Sequence, residues 1–97
     1  MVKIRKGKKG KILIVDDVPD TVNIVEKLFK SEGYDVFTAS TGEEGIRKTA
    51  QVKPDVILLD INLPGIDGNV ALRKIKRENP DQSVVMLTAY ATVDNAI

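Results

Sequence analysis

The run Val56–Asp60 constrains the fold of this chain more than any other stretch. Its four consecutive apolar residues follow Pro54-Asp55, and the run is followed by a turn-rich loop, Ile61–Gly68. A short, continuous apolar run of this kind is typical of a strand buried on both faces of a parallel sheet. The strand carries the carboxylate of Asp60 to its own C-terminal end. Because ligands bind at that edge of open α/β sheets, the run predicts where a functional site would lie.

Three further segments are predicted to be strands. Lys11–Asp16 and Ser83–Thr88 are continuous apolar runs that also end in a polar side chain, and Tyr34–Ala39 is a shorter apolar segment. Four strands that alternate with helical segments are typical of βαβ units with right-handed crossovers. We therefore predict an α/β fold built on a parallel sheet.

Helical patterns occupy the segments between these strands. The first helix opens near Pro19 and ends at about Gly33, because proline is tolerated in a first turn and glycine commonly follows a last one. Thr41–Glu44 is a capping box that begins a second helix, which ends at about Gln51. A third helix begins at Gly68 and ends before Asn79-Pro80. The expected core positions of the first helix are Val22, Val25, Leu28 and Phe29, and those of the third are Val70, Ala71, Leu72 and Ile75.

Composition excludes several kinds of chemistry. The 97 residues suffice for one domain, and they include neither cysteine nor histidine. Disulfides, thiolate metal sites and imidazole bases are therefore excluded, which leaves carboxylates, lysines and hydroxyls for any reaction. No secretory segment and no apolar run of about 20 residues is present, so we expect a cytoplasmic protein without membrane contact.

The first ten residues differ in charge from the rest of the chain. Six of the 15 Lys and Arg residues precede Ile12, which leaves nine cations against all 14 Asp and Glu in residues 12–97, a net charge of −5. We interpret residues 1–10 as a flexible basic arm and residues 11–97 as the globular domain. Nucleic-acid binding is not expected, because the arm has no aromatic residue to stack on bases.

Acidic residues at two strand ends predict a cation site. Asp16 and Asp17 end the first strand and Asp60 ends the third, so neighbouring strands would bring the three carboxylates together. Their mutual repulsion requires a neutralising group, and an all-oxygen site with no soft ligand favours Mg²⁺. Asp60 could then act as a nucleophile toward a phosphoryl group, with the Thr88 hydroxyl as a donor to it. The turn after Asp60 would direct the backbone carbonyl of Asn62 to the metal.

Three segments together resemble the receiver domain of two-component response regulators: Ile12–Asp17, Ile57–Gly68 and Val85–Tyr90. The segment from Thr88 to Val93 is most similar to receivers of σ54-dependent activators. The resemblance implies a flavodoxin-like (CheY-like) doubly wound sheet with strand order 2-1-3-4. It also implies that a partner sensor histidine kinase transfers a phosphoryl group to Asp60 with Mg²⁺ present, and that Thr88 is the switch hydroxyl. By the same resemblance Asp17, Asp60 and the Asn62 carbonyl bind Mg²⁺ directly, and Asp16 binds it through water.

The family pattern extends further than this sequence. The fifth strand and helix, and the lysine that pairs with the phosphoryl group, have no counterpart here, so we expect a truncated receiver. Such a chain would present residues 83–88 as a bare sheet edge, and self-association through that edge is expected.

Three alternatives remain. The chain could be a non-signalling interaction or self-associating fragment. An aspartate-nucleophile phosphatase is disfavoured because Asn62, rather than a second aspartate, follows two residues after Asp60. A nucleotide-binding unit is disfavoured because Gly7–Lys11 precedes the first strand and lacks the spacing of a phosphate loop.

Overall fold

The computed structural model describes residues 9–87, which form four parallel strands and three helices in strict alternation. In chain order these elements are β1 (Lys11–Val15), α1 (Pro19–Ser31), β2 (Asp35–Ala39), α2 (Gly42–Val52), β3 (Val56–Asp60), α3 (Gly68–Glu78) and β4 (Ser83–Leu87). The predicted α/β class is therefore confirmed. Among these helices none has the length and hydropathy of a membrane span.

The sheet has the strand order β2-β1-β3-β4, as predicted. β1 is an inner strand that pairs in parallel with β2 on one side and with β3 on the other. In the register, Val15 lies beside Leu59, and Asp60 lies beside Leu87 of β4. The residues that follow Val15 and Leu59 therefore emerge together at the C-terminal edge of the sheet.

Alternation along the inner strands sorts their side chains onto two faces of the sheet. Leu13 and Val15 of β1 and Ile57 and Leu59 of β3 are fully buried, and they form one cluster with residues of α3. The α3 members of this cluster are Ala71 and Ile75. Leu72, also of α3, and Ile46 of α2 pack against the cluster. Ile12 and Ile14 are also buried but do not belong to the cluster, as the two-residue period of a strand requires.

Several strand positions are less buried than the continuous apolar runs predicted. Val56 and Leu58 of β3 are half-buried, and Val85 of β4 is 48% exposed. The prediction of a β3 buried on both faces therefore holds for Ile57 and Leu59 only, within the part of the chain that the structure describes.

α1 differs from its predicted packing. None of its residues is buried, and Leu28, which the helical spacing assigned to the core, is 56% exposed. Val22, Val25 and Phe29 are half-buried, and the helix packs against β2 at one side of the sheet. α1 ends at Ser31, two residues earlier than predicted, and Gly33 follows with a positive φ of 100°.

The start of α2 departs slightly from a standard capping box. The Thr41 hydroxyl accepts a hydrogen bond from the backbone N–H of Glu44 (3.0 Å), as predicted. The Glu44 carboxylate, however, accepts from the N–H of Ser40 (2.9 Å) and not from that of Thr41. This hydrogen bond, more than any other contribution, lowers the pKa of Glu44 below its usual value of 4.5, and Lys48 adds to the effect.

Candidate functional site

The C-terminal ends of β1 and β3 bring the three predicted acids together. One carboxylate oxygen from each of Asp16, Asp17 and Asp60 lies within 4.8 Å of the other two. The proximity follows from the register, because Val15 and Leu59 are direct neighbours and an acid follows each of them. The cluster is defined here as the acid site, and it lies at the sheet edge where α/β proteins bind ligands.

The three carboxylates differ in their surroundings. Asp16 is buried, with 6% of its surface exposed, and its Oδ1 accepts a hydrogen bond from the N–H of Val18 (2.9 Å). The backbone N–H of Asp16 donates to the carbonyl of Ala39 (3.0 Å), which fixes the end of β1 to β2. Asp17 is exposed and Asp60 is half-buried. Asp16 is therefore held in place by the backbone, whereas Asp17 and part of Asp60 are accessible to solvent.

The pKa of Asp60 is raised in this arrangement. Burial raises its pKa above the usual value of 3.8, and the negative charges of Asp16 and Asp17 raise it further. The backbone N–H of Asn62 donates to Oδ1 of Asp60 (3.1 Å) and opposes that rise. Asp60 thus lies among like charges that a bound cation would offset.

The loop after β3 is fixed to the end of that strand. The N–H of Gly68 donates to the carbonyl of Ile61 (2.8 Å), and the N–H of Ile61 donates to the carbonyl of Leu87 (3.0 Å). A Cβ atom at Gly68 would lie 2.6 Å from the Cα of Ile61 and would also overlap the Asp60 carbonyl. Asp67 caps α3 by accepting from the N–H of Val70 (3.0 Å). α3 therefore begins in direct contact with the backbone of Asp60.

Of the two other predicted site residues, the structure describes Asn62 but not Thr88. The side chain of Asn62 is exposed, and its backbone carbonyl accepts no hydrogen bond from any residue between 9 and 87. Leu87 is the last residue of β4 and pairs with Asp60. Thr88, the predicted switch hydroxyl, lies outside the described residues.

Two site features were missed at the level of sequence. The start of the third helix at Gly68 was predicted, but the close approach of Gly68 to the Asp60–Ile61 backbone was not. The hydrogen bond from the N–H of Asn62 to Oδ1 of Asp60 was also not predicted. It depends on the conformation of the loop, which no residue pattern specifies.

The acid site fits a hard divalent cation. It offers three carboxylates and a backbone carbonyl without a described partner, and oxygen ligands of these kinds are the ones Mg²⁺ prefers. Burial is the main cause of the raised pKa of Asp60, and the negative charges of Asp16 and Asp17 add to it, as expected for carboxylates that lie together without a cation. A cation with two positive charges would offset those negative charges.

A parallel sheet of order β2-β1-β3-β4 with an acid cluster at its C-terminal edge defines a flavodoxin-like α/β domain with a candidate cation site. Residues 12–97 match the family of the response regulator receiver domain. The chain belongs to this family, whose members serve as phosphoacceptor modules of two-component systems.

Curated relatives agree with this assignment. The chain is 40% identical over 79 residues to the alkaline phosphatase synthesis transcriptional regulatory protein PhoP of Bacillus subtilis. This alignment covers 81% of this chain and 33% of PhoP. It is 36% identical over 84 residues to sporulation initiation phosphotransferase F of the same organism, covering 87% of this chain and 68% of that protein. The regulatory protein AtoC of Escherichia coli is 33% identical, with 91% of this chain and 19% of AtoC covered. The chain spans about a third of the length of PhoP.

Solved structures are similar over most of the chain. The CheX–CheY–BeF3–Mg+2 complex from Borrelia burgdorferi contains a chain with a TM-score of 0.83 and 33% identity, covering 92% of this chain and 69% of that one. A CheY-like receiver domain protein from Methanospirillum hungatei has a TM-score of 0.80 and 34% identity, with coverage of 89% and 69%.

Proposed function

We propose that this receiver domain accepts a phosphoryl group on Asp60 from a phosphohistidine of a partner sensor kinase, in a reaction that requires Mg²⁺. The observation that carries the proposal is the convergence of three carboxylates within 4.8 Å at the C-terminal edge of the sheet. Asp60 is the member that is both open to a partner and held by the loop before α3. These features support Asp60 as the acceptor, since Asp16 is buried and already accepts a backbone hydrogen bond.

Four groups would hold the metal ion. Asp17, Asp60 and the backbone carbonyl of Asn62 would bind it directly, and the buried Asp16 would hold a water molecule bound to it. The ion would supply the positive charge that lets a carboxylate and a phosphoryl group approach each other.

The chain's own residues account for the geometry of transfer. The N–H of Asn62 holds Oδ1 of Asp60, which orients the carboxylate and leaves its second oxygen for attack. That oxygen forms a bond to phosphorus as the bond from phosphorus to the histidine nitrogen of the kinase breaks. The leaving nitrogen keeps the electron pair and takes a proton from solvent or from a kinase group. The product on this chain is an acyl phosphate.

The switch step is proposed to involve Thr88 and α3. Thr88 would donate its hydroxyl to a phosphoryl oxygen. α3 begins against the Asp60 backbone, so a change in the loop at Ile61 is transmitted directly to the helix start. A local charge change coupled to a packed element in this way is a common basis of phosphorylation switches.

The test is covalent labelling with a small phosphodonor. Acetyl phosphate and Mg²⁺ should add one phosphoryl group to the intact chain, seen by mass spectrometry, and hydroxylamine should remove it as expected for an acyl phosphate. Asp60→Asn should abolish the adduct. Asp20→Asn is the matched control, because Asp20 is an exposed acid of the first turn of α1, and it should be labelled normally. Labelling that persists in Asp60→Asn, or that is unaffected by a chelator, would contradict the proposal.

Self-association through β4 remains a second proposal. β4 pairs with β3 on one side, and no other described strand pairs with it. Val85 is 48% exposed on this strand, so a second copy could add a strand there. Light scattering on the intact chain should show a concentration-dependent dimer that Val85→Lys abolishes. A monomer at all concentrations would contradict it.

A further inference from the structure

The first turn of α2 lies against both chain segments that carry the acid site. These acid-carrying segments are residues 15–17 and residues 60–67. Two glycines of the turn, Gly42 and Gly45, are three residues apart and therefore share one face of the helix. They are the only residues of α2 that are buried. The contacts of this glycine face determine how closely the helix approaches the segments that hold Asp16 and Asp60.

Gly45 lies against the residue that precedes Asp16. A Cβ atom at Gly45 would lie 2.9 Å from Cγ2 and 3.0 Å from Cγ1 of Val15. Carbon atoms in ordinary contact are about 3.5–4.0 Å apart, so a side chain here requires a movement of about 0.5–1 Å. Val15 is fully buried in a close-packed core, so either the helix or the end of β1 must move. The missing side chain at Gly45 therefore sets the distance between α2 and the strand that leads to Asp16.

Gly42 and Glu43 lie against the loop that follows Asp60. A Cβ atom at Gly42 would lie 2.7 Å from Cγ1 of Ile66 and 3.1 Å from the Ile66 carbonyl oxygen. The carboxylate of Glu43 lies against Gly65, because its oxygens would be 3.0 Å from a Cβ atom there. The same loop orients Asp60 by a backbone hydrogen bond. The second acid-carrying segment is thus also packed on the first turn of α2.

The start of α2 is itself held in place. Thr41 caps the helix with its hydroxyl, and the carboxylate of Glu44 accepts from the N–H of Ser40 (2.9 Å). The end of β2, just before this cap, is tied to the acid site, because the Ala39 carbonyl accepts from the N–H of Asp16 (3.0 Å). A fixed helix start in contact with both acid-carrying segments can hold their separation constant.

We propose that the first turn of α2 positions the acid site for Mg²⁺ binding and phosphoryl acceptance, with Gly42 and Gly45 as the positioning residues. This inference rests on the proposed function of Asp60. α2 supplies none of the proposed ligands and acts through Val15 and Ile66. Mg²⁺ requires near-ideal octahedral geometry with oxygen ligands at about 2.0–2.1 Å, so its binding is sensitive to small changes in the separation of the carboxylates.

Gly45→Ala separates the positioning role from ordinary helix stability, because the two predict opposite results. Alanine is more favourable than glycine within a helix, so a purely local effect would raise the urea midpoint and leave labelling by acetyl phosphate unchanged. If Gly45 positions the site, the contact with Val15 should lower the midpoint. Mg²⁺ affinity, followed by the amide chemical shifts of Asp17 and Asn62, and the labelling rate should each fall about tenfold, since a displacement of 1 Å can cost about a hundredfold.

Val15→Ala should rescue Gly45→Ala. It removes both methyl groups that the new Cβ would meet and leaves the Cβ of residue 15 at 3.5 Å, which is an ordinary contact. The double variant should therefore recover the Mg²⁺ affinity and the labelling rate of the wild type. Gly42→Ala tests the other segment independently and should show the same losses. Ile66→Ala should restore these only in part, because the carbonyl of residue 66 remains 3.1 Å from the new Cβ.

Ile75→Val is the matched control for lost stability. Ile75 is a buried core residue two turns beyond the start of α3, so shortening its side chain should lower the urea midpoint. The Mg²⁺ affinity and the labelling rate of this variant should equal those of the wild type, because the substitution lies away from both acid-carrying segments.

Specific outcomes would overturn the inference. A raised urea midpoint with wild-type Mg²⁺ affinity in Gly45→Ala would mean that the helix does not set the separation of the acids. A folded double variant as weak in Mg²⁺ binding as Gly45→Ala would mean that the contact with Val15 is not the cause. Failure of the proposed function is a separate result: a wild type that binds Mg²⁺ without being labelled would contradict phosphoryl acceptance, and the Mg²⁺ affinities would still test the positioning role. A wild type that binds no Mg²⁺ would overturn both.

Discussion

Replacing Asp60 by asparagine should stabilise the metal-free protein. One oxygen from each of the three acids lies within 4.8 Å of the others. Two charges at that distance repel by about 3.5 kcal/mol at an effective dielectric of about 20, and by about 0.9 kcal/mol in bulk water. Asp16 is buried while Asp17 is exposed, so the true values lie between these limits and the Asp17 contribution is the smaller. We expect Asp60→Asn to raise the free energy of unfolding by about 1–3 kcal/mol.

The substitution is suited to this purpose because it changes the charge and little else. Asparagine has nearly the same shape, and its Oδ1 can still accept from the N–H of Asn62. Urea unfolding followed by circular dichroism with a chelator present should give a higher midpoint with an unchanged slope. Asp20→Asn, at an exposed acid outside the site, should change the free energy of unfolding by less than about 0.5 kcal/mol.

The pH dependence of this stabilisation has a definite sign. The pKa of Asp60 is raised in the folded chain, chiefly by burial and then by the charges of Asp16 and Asp17, so the folded state holds its proton to higher pH than the unfolded state. The penalty that Asp60 imposes is therefore absent well below its usual pKa of 3.8. It develops as the pH rises from there and is complete above the folded-state pKa. The advantage of Asp60→Asn should accordingly disappear in acid.

Mg²⁺ should reverse the order of the two proteins. A ligand that binds only the folded state stabilises it by an amount that grows with the logarithm of its concentration. The wild type should gain this stability and Asp60→Asn should gain less, because it has lost a ligand. Equal or lower stability of Asp60→Asn in chelator, or equal Mg²⁺ stabilisation of both proteins, would refute the reasoning.

Substitutions at three further positions test local features of the fold. Gly68→Ala should cost about 2–3 kcal/mol and reduce labelling by acetyl phosphate, because its Cβ would overlap the backbone of Asp60; unchanged labelling and stability would contradict this contact. Glu44→Gln should destabilise by about 0.5 kcal/mol at neutral pH, because the Ser40 N–H loses a charged acceptor. The pKa of Glu44 is lowered in the folded chain, chiefly by that hydrogen bond, so the stability lost in Glu44→Gln should become smaller as the pH falls through the folded-state pKa. Urea midpoints of both proteins, measured over a range of pH, check this. Lys53→Gly should stabilise by about 0.5–1 kcal/mol, because Lys53 has a left-handed φ of 56°, whereas Lys53→Ala should not.

The sheet and its site were predictable because both follow from strand ends. A run such as Val56–Asp60 defines a strand, and the parallel arrangement places its terminal acid beside that of a neighbouring strand. The proximity of Asp16 and Asp60 required no knowledge of loop conformation. This is why the acid site was predicted correctly in its position, whereas its metal and its phosphorylation remain proposals.

Helix packing was less predictable than strand order. α1 has apolar residues on more than one side, and helical spacing alone does not say which side meets the sheet. The structure places Val22, Val25 and Phe29 inward and leaves Ile24 and Leu28 exposed. Only the position of β2 relative to the helix decides between the two, and that is a tertiary contact.

Loop details were the least predictable. The Glu44 carboxylate reaches Ser40 instead of Thr41, and the Gly68 backbone meets that of Asp60. Both features depend on backbone torsions of short connections, which many residue combinations can satisfy. The sequence identifies such positions as turns or caps and leaves their partners open.

The pairing of β1 with β3 also has a consequence for folding kinetics. Asp16 and Asp60 are far apart in the chain and meet only where these two inner strands complete their ladder. If the transition state precedes that last step, Mg²⁺ stabilises the folded chain without stabilising the transition state, and it should slow unfolding while leaving the refolding rate unchanged. In that case the bound ion increases the kinetic stability of the domain by slowing the separation of β1 from β3, and chelation would shorten the lifetime of the folded domain.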